Sequence, residues 1–305
     1  MTRSHDGRVM GTTAHVVVHG GSVGAAMLFA QLDELETRWS RFLDTSELSR
    51  LNRSAGALTV VSPATYLLVE HLVAAHHLTG GRFDPTLLAH LVRHGYDRTY
   101  QELAELPEHR ERGADGATTA LAPAGRADEI ELLATIPAVV LPAGVQLDPG
   151  GLGKGLAADL VAELAVERGA TGVLVDVGGD VVTRGHAPDG GPWRIAVPAV
   201  DGHGEQVVEI GDGAVATSDT AARTWRTEGR RRQHILDPAT GSPLEVHLTA
   251  TAVAGAGWWA EAVATAAIVS RARDDGWFTE GRATELAVTA WVTELEPNEP
   301  ELIDA

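Results

Sequence analysis

The chain of 305 residues contains no cysteine. That excludes disulfides, thiolate metal sites, a cysteine nucleophile and thiolate-held iron–sulfur clusters. Aromatic residues make up only 5%, so alanine, valine and leucine must fill most of any core. Cations are scarce as well. Against 42 Asp+Glu stand 24 Lys+Arg, a formal net charge of −18 with a pI near 5.0. Such a balance disfavours nucleic-acid binding, which needs cations to displace phosphate counterions, and disfavours a basic helix lying on a membrane surface. No run of about 18 apolar residues occurs, so no transmembrane helix is expected. Met1 to Met10 is polar and lacks the apolar segment of a secretory signal. These absences predict a soluble, cytoplasmic protein. Hydrophobic residues are 44% and charged residues 22%, enough apolar material for a core.

Along the chain, Ala14–His19 reads as a short strand, and Ser22 as the cap of a helix with Leu28, Leu32, Leu35 and Trp39 on one face. Ser62-Pro63 opens a second helix running to about Leu78, with proline at the first helical position. Residues 107–128 are rich in Ala, Gly, Pro and charge, which predicts an exposed loop and a candidate lobe boundary. Ile136–Leu141 and Val145–Leu147 read as two strands around a Pro142-Ala143-Gly144 turn. A glycine-rich turn at 150–155 leads into a helix bearing Leu156, Leu160, Val161 and Leu164. Gly172–Val177 reads as a buried strand, followed by short β runs to Thr249 and a helix from about Trp259 to Val269. The acidic tail after Glu294 is expected to be loose. Helices interleave with strands that look hairpin-connected, which favours α+β over a doubly wound parallel sheet.

Three segments carry chemistry. Asp148-Pro149-Gly150-Gly151-Leu152-Gly153-Lys154-Gly155 combines bare backbone N–H groups, a helix N-terminus and a cation, which suits a pyrophosphate. It is not a Walker loop, because Gly155 follows the lysine where a hydroxyl is needed, and it lacks the dinucleotide fingerprint. The plainer reading is an ordinary strand-to-helix turn. His234 precedes the turn Asp237-Pro238-Ala239-Thr240-Gly241 and is either a general base or a structural histidine. Glu261 and Thr265 lie four apart on a helix face, where a carboxylate and a hydroxyl suit Mg²⁺; alternatively they are a solvent-facing acid and a back-bonded threonine. Gly81-Arg82-Phe83-Asp84-Pro85-Thr86 holds a carboxylate in a turn. Arg223, Arg226, Arg230, Arg231 and Arg232 form a basic stretch that meets phosphate or an acidic partner, or is a solvated hairpin.

In order, these segments resemble the FAD:protein FMN transferase family, the ApbE-like proteins. The resemblance begins at Met10-Gly11-Thr12 and continues through Phe42 and Ser46-Glu47-Leu48-Ser49-Arg50-Leu51-Asn52. It then takes in Gly81–Thr86, Asp148–Ala158, Val177-Gly178-Gly179-Asp180, Ala216-Thr217-Ser218 and His234–Gly241, spanning about residues 10–270. It implies an α+β fold of antiparallel sheets packed with helices, two-lobed and T-fold-like, as one catalytic domain over 1–305. The implied activity is Mg²⁺-dependent cleavage of FAD, with FMN passed to a Thr or Ser hydroxyl of an acceptor flavoprotein carrying an FMN-binding domain, and AMP released. Neither nucleic acid nor membrane insertion is implied.

The roles follow by position. Met10, Phe42, Arg82, Phe83 and Asp84 would line the FAD site; Asp148 and Lys154 would hold the dinucleotide, with Ile235 nearby. The metal would take the Gly151 carbonyl, Glu261 and Thr265, and His234 would be the base. Glu261 stands where the family usually has Asp, and Asp219 where Gly is usual, either crowding that loop or adding an acid beside the metal. Without the lipoprotein-type signal that exported members of the family carry, the acceptor is expected to be presented in the cytoplasm, or flavinylation to precede export. The competing expectations are an Mg²⁺-dependent FAD pyrophosphatase, a non-catalytic FAD-binding protein and a phosphotransferase acting on another dinucleotide.

Overall fold

Residues alternate between exposed and partly buried over Thr2–Val9, and that period of two makes the polar N-terminus an edge strand, β1. The computed structural model describes residues 1–54, 56–105, 124–200, 202–227 and 229–295. Strand β2 (Thr12–Gly20) returns from a tight turn, followed by helices α1 (Ala25–Trp39) and α2 (Glu47–Asn52). A short strand β3 (Thr59–Val60) leads into α3 (Pro63–Leu78), then α4 (Leu88–Arg93), α5 (Tyr100–Ala104), β4 (Glu131–Leu133) and β5 (Ala138–Val140). Helix α6 (Gly153–Glu167) feeds the hairpin β6 (Ala170–Val177)–β7 (Asp180–Gly185). The hairpin β8 (Trp193–Pro198)–β9 (Glu205–Ile210), strand β10 (Gly213–Asp219) and the hairpin β11 (Thr224–Thr227)–β12 (Arg230–Gln233) come next. The pair β13 (Leu236–Asp237)–β14 (Ser242–Pro243), β15 (Leu248–Ala254), α7 (Gly257–Arg273), α8 (Glu280–Glu285) and β16 (Thr289–Glu294) complete the described chain.

Seven strands form one antiparallel sheet in the order β1-β2-β6-β7-β10-β15-β16. The pleat sorts its two faces. Val16, Val18, Val173, Val175 and Val177 join the main core with helices α1, α6 and α7. Val17, Leu174, Val181 and Val215 face the other way and pack under the β8–β9 hairpin with Trp193 and Ile195. The architecture is therefore α+β, as expected. Helix α7 is buried on nearly every side, with Ala260, Ala262, Val263 and Ala264 fully buried. Each such valine contributes about 1.5–3 kcal/mol by leaving water.

Two contacts aim α7 at the site. Gly155 of α6 lies against Gly257 of α7; a Cβ at Gly155 would come within 2.4 Å of the Gly257 backbone. Asp159 of α6 then caps α7 across the gap, accepting from Gly257 N–H at 2.9 Å and Trp258 N–H at 3.0 Å. The first amides of a helix have no partner within it, so a carboxylate there both satisfies them and matches the dipole.

Helix α3 begins and ends where expected, with Ser62 accepting from Thr65 N–H at 3.2 Å. Ser22 does not cap α1: the N-cap is Gly24, without a side-chain bond. Val145–Leu147 is not a strand. The Val145 amide closes a turn on Pro142, and Asn52 takes both backbone groups of Leu147, donating to its carbonyl at 2.9 Å and accepting from its amide at 2.8 Å. A side chain thus replaces a neighbouring strand. Of the loop expected at 107–128, residues 107–123 lie outside the described residues; Ala127 is buried in a short 3₁₀ turn. Residues 296–305 of the tail also lie outside them.

Candidate functional site

A cavity of about 1050 Å³ opens between the turns and strand ends of the main sheet, the segments that follow α1 and α3, and the N-terminal ends of α6 and α7. Every residue to which the resemblance gives a site role lines it: Met10, Phe42, Arg82, Phe83, Asp84, Asp148, Gly151, Lys154, His234, Ile235, Glu261 and Thr265. Its size exceeds the usual range for small-molecule pockets and suits a dinucleotide-sized ligand.

Lys154 is the only lysine in the chain. Its ammonium donates to both Asp180 and Glu261. Glu261 also accepts from the Gly155 amide at 2.9 Å, and Asp180 from Thr217 N–H at 3.4 Å. The side chains of both acids are 4% exposed and that of Lys154 is 17% exposed. Burial opposes the lysine charge, but the two carboxylates outweigh it and raise the ammonium above its ordinary value. Burial pushes the Glu261 carboxyl up, helped by Asp180 and opposed by Lys154. Beside this triad the Ser218 and Thr265 hydroxyls lie 3.1 Å apart.

One wall is built around Asp148. Its Oδ1 accepts from Gly150 N–H at 2.8 Å, and its Oδ2 lies 3.4 Å from Arg41 Nε. Arg41 stacks over Phe42 at 4.1 Å and Tyr96 at 4.5 Å, and donates to the Tyr96 carbonyl at 3.0 Å. Its buried Nη2 has no hydrogen-bond partner among the described residues. A desolvated donor without an acceptor is costly unless a ligand supplies one.

The turn after α3 forms a second wall. Phe83 closes over Gly151, where a Cβ would sit 2.7 Å from the ring. Asp84 braces this turn, accepting from the Thr86 amide at 2.8 Å, the Thr86 hydroxyl at 2.6 Å and Gly125 N–H at 2.6 Å. Arg82 is held by Asp275 at 2.8 Å and lies 5.2 Å from the Trp277 ring. Met10, at the tip of the β1–β2 turn, has φ of +52°, a left-handed conformation that is strained for a side chain of its size.

His234 sits at the root of the β11–β12 hairpin, its Nδ1 3.4 Å from the Arg223 carbonyl. With Nδ1–H donating there, Nε2 keeps its lone pair. Burial, with Arg223 and Lys154 nearby, pushes this imidazole down to about 3, so it is neutral near pH 7. Ile235 beside it is buried, its amide donating to Gln233 Oε1 at 2.6 Å. Asp219 lines the cavity at the end of β10, and its Oδ1 accepts from Ala221 N–H at 2.6 Å.

The sequence gives no sign of Arg41 and no individual role to Asp180 or Arg223, which enter only within a motif and a basic stretch. The Gly178-Gly179 turn immediately before Asp180 was a usable signal; nothing local marks Arg41, whose partner Asp148 is distant in sequence.

A buried lysine–carboxylate triad and a neutral imidazole thus face one large cavity. The ApbE family model matches residues 10–289. A FAD:protein FMN transferase of Treponema pallidum is 31% identical over 291 residues, covering 86% of this chain and 76% of its own length. The FAD:protein FMN transferase of Vibrio cholerae serotype O1 is 28% identical over 259 residues, covering 81% of this chain and 75% of its own length. Among solved structures, the ApbE protein of Thermotoga maritima superposes with a TM-score of 0.78 at 24% identity, covering 97% of each chain. The apo form of the Pseudomonas stutzeri flavinyl transferase ApbE gives 0.77 at 24% identity, covering 97% of this chain and 95% of that one. The chain belongs to the ApbE family.

Proposed function

We propose that this protein is an FAD:protein FMN transferase that uses Mg²⁺ and passes FMN to a Thr or Ser hydroxyl of an acceptor flavoprotein. The observation that carries the reading is the Lys154–Asp180–Glu261 triad in a cavity whose other wall holds the neutral His234. The named relatives add to it.

The acceptor hydroxyl oxygen forms a bond to the phosphorus of the FMN half. The bond from that phosphorus to the bridging oxygen breaks, and AMP leaves. The hydroxyl proton goes to His234 Nε2, which keeps a free lone pair while the other ring nitrogen is anchored on the Arg223 carbonyl. Arg41 Nη2 is a spare donor for an acceptor atom of FAD. Phe42 and Tyr96 offer apolar surface to its rings.

The donors near Thr265 fit a hard cation. Glu261, Thr265 and the Gly151 carbonyl are all oxygen ligands lining one cavity. Each Glu261 oxygen accepts one bond within the protein and so retains a lone pair. Among the described residues no group of three His, Asp or Glu could hold a metal alone, so the hydroxyl and carbonyl are needed. Bound Mg²⁺ would neutralise charge on the transferring phosphoryl group.

The test is to incubate the protein with FAD and Mg²⁺, with and without an FMN-binding-domain acceptor, and to quantify AMP and in-gel flavin fluorescence. AMP together with a fluorescent acceptor supports the transferase. AMP without need of acceptor means a pyrophosphatase, and FAD binding without AMP at any Mg²⁺ level means a flavin-binding protein.

A further inference from the structure

The hairpin β11–β12 carries three arginines on its exposed side, Arg226, Arg230 and Arg231. Arg226 and Arg231 are directly opposed in its register, on the face pointing away from the core. Like charges in facing positions destabilise an antiparallel pair. Arg226, Arg230 and Arg231 are exposed, and none has a carboxylate partner among the described residues. Elsewhere Arg38, Arg82, Arg184 and Arg273 are all matched to acids, as expected for a chain of net charge −18.

The hairpin is also held firmly in place. Trp225 is buried, its Nε1 donates to the His94 carbonyl at 2.8 Å, and its ring lies 5.2 Å from Tyr96. The two chain segments at its base, Arg223 and His234, line the catalytic cavity. The charged face therefore begins where an incoming hydroxyl must arrive.

We propose that the outer face of this hairpin is the docking surface for the acceptor protein, and that it binds an acidic segment adjoining the Thr or Ser to be modified. This rests on the transferase reading. Charge complementarity selects the partner: two opposed guanidiniums lack counter-charges among the described residues, and a carboxylate-bearing strand laid across them supplies both. Such a surface sets acceptor KM and its salt dependence, and leaves FAD binding alone.

The test uses the FAD-loaded full chain and three fluorescein-labelled probes. One is a peptide with a central Thr flanked by aspartates; the second carries asparagines instead; the third is a single-stranded oligothymidine of equal charge. By anisotropy, the aspartate peptide binds about tenfold tighter than its asparagine counterpart at low salt, the scale of two exposed ion pairs. The margin closes as salt rises past about 0.3 M. The Arg226→Glu/Arg231→Glu variant loses the margin while keeping wild-type FAD affinity, which shows that it is folded. Equal binding of the two peptides, or an unchanged margin in the variant, overturns the proposal. Tighter binding of the oligothymidine overturns it in favour of a nucleic-acid surface. A salt-sensitive peptide preference with no flavin transfer to any acceptor upholds the surface and rejects the transferase reading.

Discussion

The Lys154 ammonium donates to the Glu261 carboxylate across the junction of α6 and α7, 107 residues apart in sequence. One side chain follows a glycine-rich turn and the other lies one turn into a nearly all-buried helix. The link ties the glycine-rich turn on one side of the cavity to helix α7 on the other. Removing either member strands a buried charge.

Lys154→Met leaves Asp180 and Glu261 facing each other without a counter-charge. A loss of about 3–5 kcal/mol in unfolding free energy is expected, read from urea denaturation at pH 7.5. Since a protonated carboxyl relieves the repulsion, the deficit shrinks at pH 5. A variant as stable as the parent at both pH values would show that the triad is not a linked unit.

Glu261→Gln keeps the length of the side chain and an acceptor for the Gly155 amide, but loses the charge. Transfer should fall by about a hundredfold or more, with FAD affinity changed far less. Flavin fluorescence titration beside an AMP assay separates the two. Parallel losses in both would place Glu261 in FAD binding instead.

Gly155→Ala forces a methyl into the Gly257 backbone, with 2.4 Å available. Helices α6 and α7 must separate, at about 1–3 kcal/mol or more, and the urea midpoint should drop accordingly. Asn52→Ala tests another hidden brace. It removes both bonds to Leu147, beside Asp148, and should cost about 1–3 kcal/mol and weaken FAD binding. Normal FAD affinity in the Asn52 variant would detach that clamp from the site.

His234 gives stability a definite pH dependence. Its folded value is pushed down to about 3 from an ordinary 6.5, so between those limits the unfolded chain binds the extra proton. Its contribution is complete above pH 6.5 and is lost as pH falls towards 3, with a slope of up to about 1.4 kcal/mol per pH unit. His234→Gln should flatten the stability profile between pH 6.5 and 4. An equally steep profile in that variant would assign the slope to other groups.

Local signals made much of this legible. Ser62-Pro63 marks the start of α3, and alternating valines mark β2 and β6, because caps and pleats act over a few residues. The twelve candidate residues also reach one cavity, because the family's motifs are the cavity's walls. What stayed hidden is what depends on distant partners. Asn52 replaces a strand for Leu147 from 95 residues away. Arg41 gains meaning only when Asp148, Phe42 and Tyr96 surround it. The Gly155–Gly257 contact is invisible until both helices cross.

The solitary lysine has an experimental consequence. A protease that cuts only after lysine has one scissile bond in this chain, Lys154–Gly155, which divides it into nearly equal halves. That bond lies inside α6 with Gly155 buried, so cutting requires the first turn of the helix to open. The rate at which a single full-length band becomes two is then a clock for the opening of this one place in the fold.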